Sequence, residues 1–157
     1  MEILEINKDR IKDILFIGFK GKNNSSNILV SSLSSNHILL TNSFTGLKKD
    51  IEELSLDYDE VYLFGVNKNL CDSFSIESVA EKDGKRLESK LDLEELKERF
   101  ASFMIKTEIS RAPSKYLCNE AYWYLLEKFK GNAVLIHIST IKNFKEEWIE
   151  SFKKAIE

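Results

Sequence analysis

Three short runs, ILFIGF from Ile14, EVYLFGV from Glu60 and AVLIHI from Ala133, are apolar at nearly every position instead of every second one. A strand that is apolar on both faces has to be covered on both, which is the condition of a mostly parallel sheet packed between helices. The intervening segments supply those helices. Leu47, Ile51 and Leu54 fall on one helical face, and Asp92 followed by Leu93, Leu96, Phe100 and Phe103 reads as a capped helix. Phe144, Trp148, Phe152 and Ile156 recur at steps of four near the end of the chain, and another helix is predicted from about Tyr116 to Lys128, stopping at Gly131. A helix start at Ser25 or Ser26 and a brief strand in HILLTNSF complete the first half. The stretch DSFSIESVAEKDGKRLESKL alternates through Phe74, Ile76 and Val79 and breaks at KDGK, as a hairpin does. The expected fold is α/β, a three-layer sandwich about a mostly parallel central sheet. With 157 residues, 43% of them hydrophobic, the chain can close one core but hardly two, so residues 1–157 are expected to form a single domain.

Charge narrows the partners. The 23 basic and 26 acidic residues are interspersed, leaving a net charge of -3 and no basic stripe, so neither nucleic acid nor a membrane surface is an expected partner. The start, MEILEINKDRIKDILFIGF, opens with acidic residues and has no uninterrupted apolar core with a small-residue cleavage site, and no run is long enough to span a membrane. A cytoplasmic location is therefore expected. Cys71 and Cys118 are too few for a disulfide framework or a thiolate metal site, and no Gly-rich phosphate loop, HExxH or CxxC is present. No metal and no cofactor are expected.

What chemistry remains is nucleophilic. Cys118 falls in the first turn of a predicted helix, where unpaired N–H groups and the positive dipole end favour a thiolate. His137 lies at the end of the next strand, and in an α/β sheet a helix start and a strand end can meet at one edge. An imidazole there could take the thiol proton, and an acid behind it would fix its tautomer. Glu77, between apolar neighbours in FSIESVA, is a candidate for that acid, although the solvent face of a hairpin would also accommodate it. On spacing alone, a buried thiol and a core imidazole are the commoner outcome. Cys71, with no helix start and no basic neighbour beyond Lys68, reads as structural, and His37 as a loop residue.

Taken in order, these blocks resemble the pyroglutamyl peptidase I family, the pyrrolidone carboxyl peptidases. SKYLCNEAYWYLL is similar to the family's cysteine segment at Tyr116, Cys118, Asn119 and the Tyr122–Trp123–Tyr124 run. FSIESVA is similar to the strand carrying the family's catalytic acid at Ser75, Ile76, Glu77, Val79 and Ala80, AVLIHIS to its histidine strand, and ILFIGFKGKNN to its opening strand and loop at Gly18 and Phe19. The resemblance spans nearly the whole chain.

It implies a phosphorylase/hydrolase-like α/β sandwich and a cysteine peptidase without cofactor, acting on a peptide or small amide. Cys118 would be nucleophile, His137 general base and then acid, and Glu77 the orienting carboxylate, with Phe19, Asn67 and Leu117 at the substrate. A homo-oligomer is left open. There are departures: Lys22 stands at or near the place of a phenylalanine that sandwiches the pyrrolidone ring, and the family's Gly–Gln–Ala–Gly–Gly–Arg loop becomes GVNKNLC. The chain is also shorter than the usual member, and Arg86 is either a substitute for a family arginine or a solvated hairpin charge. The alternative reading is therefore a non-catalytic relative that binds a small ligand or a protein partner.

Overall fold

The structure, a computed structural model, describes residues 12–156. Most of the N-terminal stretch considered above for a leader lies outside the described residues. The strands are β1 (Ile14–Phe19), β2 (His37–Leu40), β3 (Glu60–Val66), β4 (Phe74–Glu77), β5 (Val79–Lys82), β6 (Lys85–Glu88), β7 (Thr107–Ser110) and β8 (Ala133–Ile138). The helices are α1 (Ser25–Leu33), α2 (Phe44–Glu52), α3 (Leu93–Ala101), α4 (Tyr116–Lys128) and α5 (Glu147–Ile156).

Six strands form one sheet in the order β2-β1-β3-β8-β4-β7. Its pairings are parallel except between β4 and β8, so β4 and β7 run against the other four strands. The expected mostly parallel α/β sandwich is what the chain adopts. The apolar runs are central for the reason given by their composition: side chains alternate in direction, and both faces are covered. Leu15, Ile17, Leu63 and Leu135 point to a core shared with α2 and α4, whereas Phe16, Phe64, Val134 and Ile136 point to one shared with α1, α3 and α5. The second core is rich in aromatics: Phe152 meets Phe64, Phe74 and Phe100 with ring centroids 5.6, 5.4 and 5.3 Å apart.

Local signals set the boundaries of most helices. Asn24 caps α1, Ser43 caps α2, and the Asp92 carboxylate accepts from the Glu95 N–H at the start of α3. The hairpin differs from its sequence-based expectation. Asp83 and Gly84, at φ 52° and 76°, make the tight turn between β5 and β6, but Phe74–Glu77 leaves the hairpin and joins the central sheet between β8 and β7. Phe74 and Ile76 are fully apolar and almost wholly buried, so their burial in the second core outweighs a longer hairpin. His37 is likewise no loop residue but the first residue of β2, its imidazole tied to the Ser34 carbonyl at 2.7 Å. Among the described residues, no helix is long and apolar enough to cross a membrane.

Candidate active site

Period-two alternation brings the candidate residues to one face. Gly65 on β3 is in register with His137 on β8, and Ser75 on the antiparallel β4 is opposite His137 from the other side, with Glu77 opposite Leu135. Because β4 runs backwards, Glu77 lies deeper along β8 than His137 does. A carboxylate placed diagonally across two strands is within reach of an imidazole. Glu77 Oε1 lies 2.9 Å from His137 Nδ1, and both side chains are buried. A carboxylate can only accept, so Nδ1 carries the hydrogen and Nε2 faces the other way. The Ser75 hydroxyl donates to the same Oε1 at 3.1 Å.

Helix α4 brings the thiol. It starts at Lys115 without a side-chain cap, and Tyr116, its first residue, takes the left-handed φ of 61° that non-glycine residues rarely adopt. That sharp start puts Cys118 in the first turn, on the face that looks at β3 and β8. The closeness depends on Gly65: a Cβ there would lie 2.6 Å from Cys118 Sγ and 3.3 Å from His137 Nε2. Sulfur and Nε2 thus share the space that a side chain at position 65 would fill. The helix is pinned by its next residues. Asn119 bridges to both the N–H and the carbonyl of Glu81, Glu120 holds Lys82 at 2.7 Å, and the Tyr122 hydroxyl donates to the Glu77 carbonyl at 2.7 Å.

Burial alone would depress the basicity of His137, but the hydrogen bonds and charges of Cys118 and Glu77 outweigh it and raise its pKa to about 9. The imidazolium is therefore the favoured form at neutral pH, between a sulfur and a carboxylate. A cationic imidazole beside a helix-start thiol is the environment in which cysteines act as nucleophiles.

Cys118, His137 and Glu77 line a cavity of about 510 Å³, walled also by Asn67, Lys68, Asn69, Ser110, Lys115, Tyr116 and Leu117. Asn67 and Leu117, expected at the substrate, lie on the cavity walls. Phe19 does not: its ring is 4% exposed, inside the α2–α4 core, and its N–H donates to Ser26 Oγ. A phenylalanine ending a buried strand gains more from the core than from a wet cavity wall. Arg86 pairs with Glu81 on the hairpin and is likewise absent from the cavity walls, and Cys71 is exposed beside Asn143. Sequence reasoning assigned no role to Gly65, Ser75 or Tyr122. Ser75 and Tyr122 were named only as positions of the family resemblance, and Gly65 left a local signal, as a glycine interrupting an apolar strand where something approaches closely.

No protein-family model matches the chain, and no curated protein matches it by sequence. Solved structures do. The pyrrolidone carboxyl peptidase of Thermococcus litoralis is 17% identical, with a TM-score of 0.72 over 92% of this chain and 91% of that one. The Thermus thermophilus enzyme is 15% identical, with a TM-score of 0.73 over 91% and 97%, and that of Fervidobacterium islandicum AW-1 is 16% identical, with a TM-score of 0.69 over 91% and 93%. The chain has the fold of the pyrrolidone carboxyl peptidases, and at one edge of that fold its thiol, imidazole and carboxylate converge.

Proposed function

We propose that this chain is a divergent cysteine peptidase of the pyroglutamyl peptidase type, hydrolysing the amide that joins an N-terminal acyl or aminoacyl group to the next residue. The observation that carries the reading is one buried imidazole with a carboxylate on Nδ1 and a helix-start thiol beside Nε2, on the wall of an open cavity. The roles follow from this order. With its thiol proton passed to His137 Nε2, Cys118 sulfur attacks the carbonyl carbon, and the oxyanion is met by N–H groups in the first turn of α4, where no side chain caps the helix. As the C–N bond breaks, His137 Nε2 protonates the departing amine, leaving a thioester. Water then adds to the thioester carbonyl with its proton passing to His137, and the C–S bond breaks to release the acid. Glu77 keeps the imidazole turned throughout and offsets its charge.

The substrate pocket has diverged. With the Phe19 ring in the core and lysine at or near a ring-stacking position, the lactam of pyroglutamate lacks its expected partners, and lost partners of this kind lower discrimination by a factor of up to about 10⁴. Slow turnover of pyroglutamyl-aminomethylcoumarin is expected beside faster turnover of another N-terminal amide in a panel. Free thiols at Cys71 and Cys118 suit a cytoplasmic enzyme. The test is substitution: Cys118→Ala abolishes turnover, a loss of at least about 10³-fold, while Cys71→Ala leaves it nearly unchanged. Full activity in Cys118→Ala would refute the nucleophile assignment. A wild type inert across the panel, with Cys118 alkylated no faster than Cys71, would favour a ligand-binding relative.

A further inference from the structure

We infer that the substrate of this site is a small amide bearing a free carboxylate, which Lys68 and Lys115 hold at the mouth of the cavity. This deepens the proposed function and rests on Cys118 being the reactive group. Lys68 follows β3 and Lys115 precedes α4, two elements that meet closely at Gly65, where the thiol enters, so both lysines line the same cavity as Cys118. Among the described residues neither makes an ion pair or a side-chain hydrogen bond; several other exposed lysines are likewise unpaired, but these two also line the cavity that holds Cys118. Among the described residues, the one acidic residue on the cavity walls is Glu77, which is buried and engaged by His137 and Ser75. The mouth is thus locally cationic in a chain whose net charge is -3.

A single exposed lysine is ordinarily just a solvated charge. Two that converge on one concavity beside a nucleophile, without a counter-anion, concentrate anions there instead. Among compounds with a scissile amide that fit about 510 Å³, those with a fixed anion are chiefly amides of amino acids with a free carboxylate, and a lysine ammonium meets a carboxylate as a point charge without needing a fixed geometry. A neutral lactam amide would leave both ammonium groups unused.

Alkylation tests this independently of turnover. Iodoacetate and iodoacetamide differ in a carboxylate, and their rate ratio at Cys118, normalised to N-acetylcysteine, is measured in the intact protein at low salt with Cys71 followed in the same digest. Two unit charges within roughly 10 Å of the reagent in a water-like dielectric predict that the ratio in the Lys68→Gln/Lys115→Gln variant falls about fourfold from the wild-type value, and that 1 M NaCl erases the difference. Equal ratios in wild type and variant would mean that the His137 imidazolium alone accounts for any anion preference, which overturns the inference and leaves the nucleophile assignment standing. If neither reagent modifies Cys118 faster than Cys71, both fall together. In turnover, the same double variant is expected to lose its preference for an N-acyl dipeptide over the corresponding C-terminal amide.

Discussion

The two faces of the central sheet use the same strands and reach opposite ends. Phe64, Ile76 and Ile136 point to the α1–α3–α5 side, where aromatic and aliphatic packing dominates, while their immediate neighbours Gly65, Glu77 and His137 point to the α4 side and form the candidate site. A one-residue step along each strand separates a close-packed core from a group of ionisable side chains. The comparison shows how the sheet can hold a buried carboxylate and imidazole: the aromatic face supplies the stability, and the opposite face accommodates a missing side chain, a buried charge pair and a helix that begins in a rare backbone conformation.

Breaking the aromatic face has the largest expected effect on stability. Phe152→Ala removes the ring at the centre of the Phe64, Phe74 and Phe100 cluster and is expected to cost about 3 to 5 kcal/mol in chemical denaturation, with the alkylation rate of Cys118 unchanged below the melting transition. A change in that rate would show that the two faces are coupled.

On the other face the next effect depends on pH. His137 titrates at about 9 in the folded protein against an ordinary 6.5, so between those values the folded chain holds a proton that the unfolded chain has lost. The stabilisation is complete below pH 6.5 and disappears as pH rises through 9, a loss of at most about 3 kcal/mol. Glu77→Gln removes one of the two groups that raise the value, so its stability is expected to fall with a clearly shallower slope between pH 6 and 9.5. An identical slope in the two proteins would exclude Glu77 as the group that holds the charge.

Gly65→Ala sharpens the comparison at the smallest scale. One methyl group, placed 2.6 Å from Cys118 Sγ, is expected to destabilise by about 1 to 3 kcal/mol. It also drives sulfur from the imidazole, so iodoacetamide labelling of Cys118 should slow to the rate of exposed Cys71. Undiminished labelling would mean that the thiol does not depend on the space left at Gly65.

Much of this was legible one segment at a time. The Asp92 cap, the Asp83–Gly84 turn and the helix ending near Gly131 are local events, set by a side-chain acceptor or by a backbone torsion, and all stand where the sequence indicated. Cys118, His137 and Glu77 were nameable because three motifs kept their order along the chain. Phe19 was misplaced because a strand-ending aromatic looks the same whether it faces a core or a ligand. The destination of FSIE was hidden because its alternation suits a hairpin and a central antiparallel strand equally well.

By itself, then, the sequence determined the alternation of doubly buried strands with one-sided helices, and hence a layered α/β sheet, because apolar periodicity registers how many faces each segment must cover. Only the tertiary structure decided that β4 enters the sheet backwards, that Glu77 therefore comes to lie behind the imidazole, and that an absent side chain at Gly65 leaves room for a thiol from a helix more than fifty residues away. Those outcomes depend on register and close approach between distant segments, which no local pattern encodes.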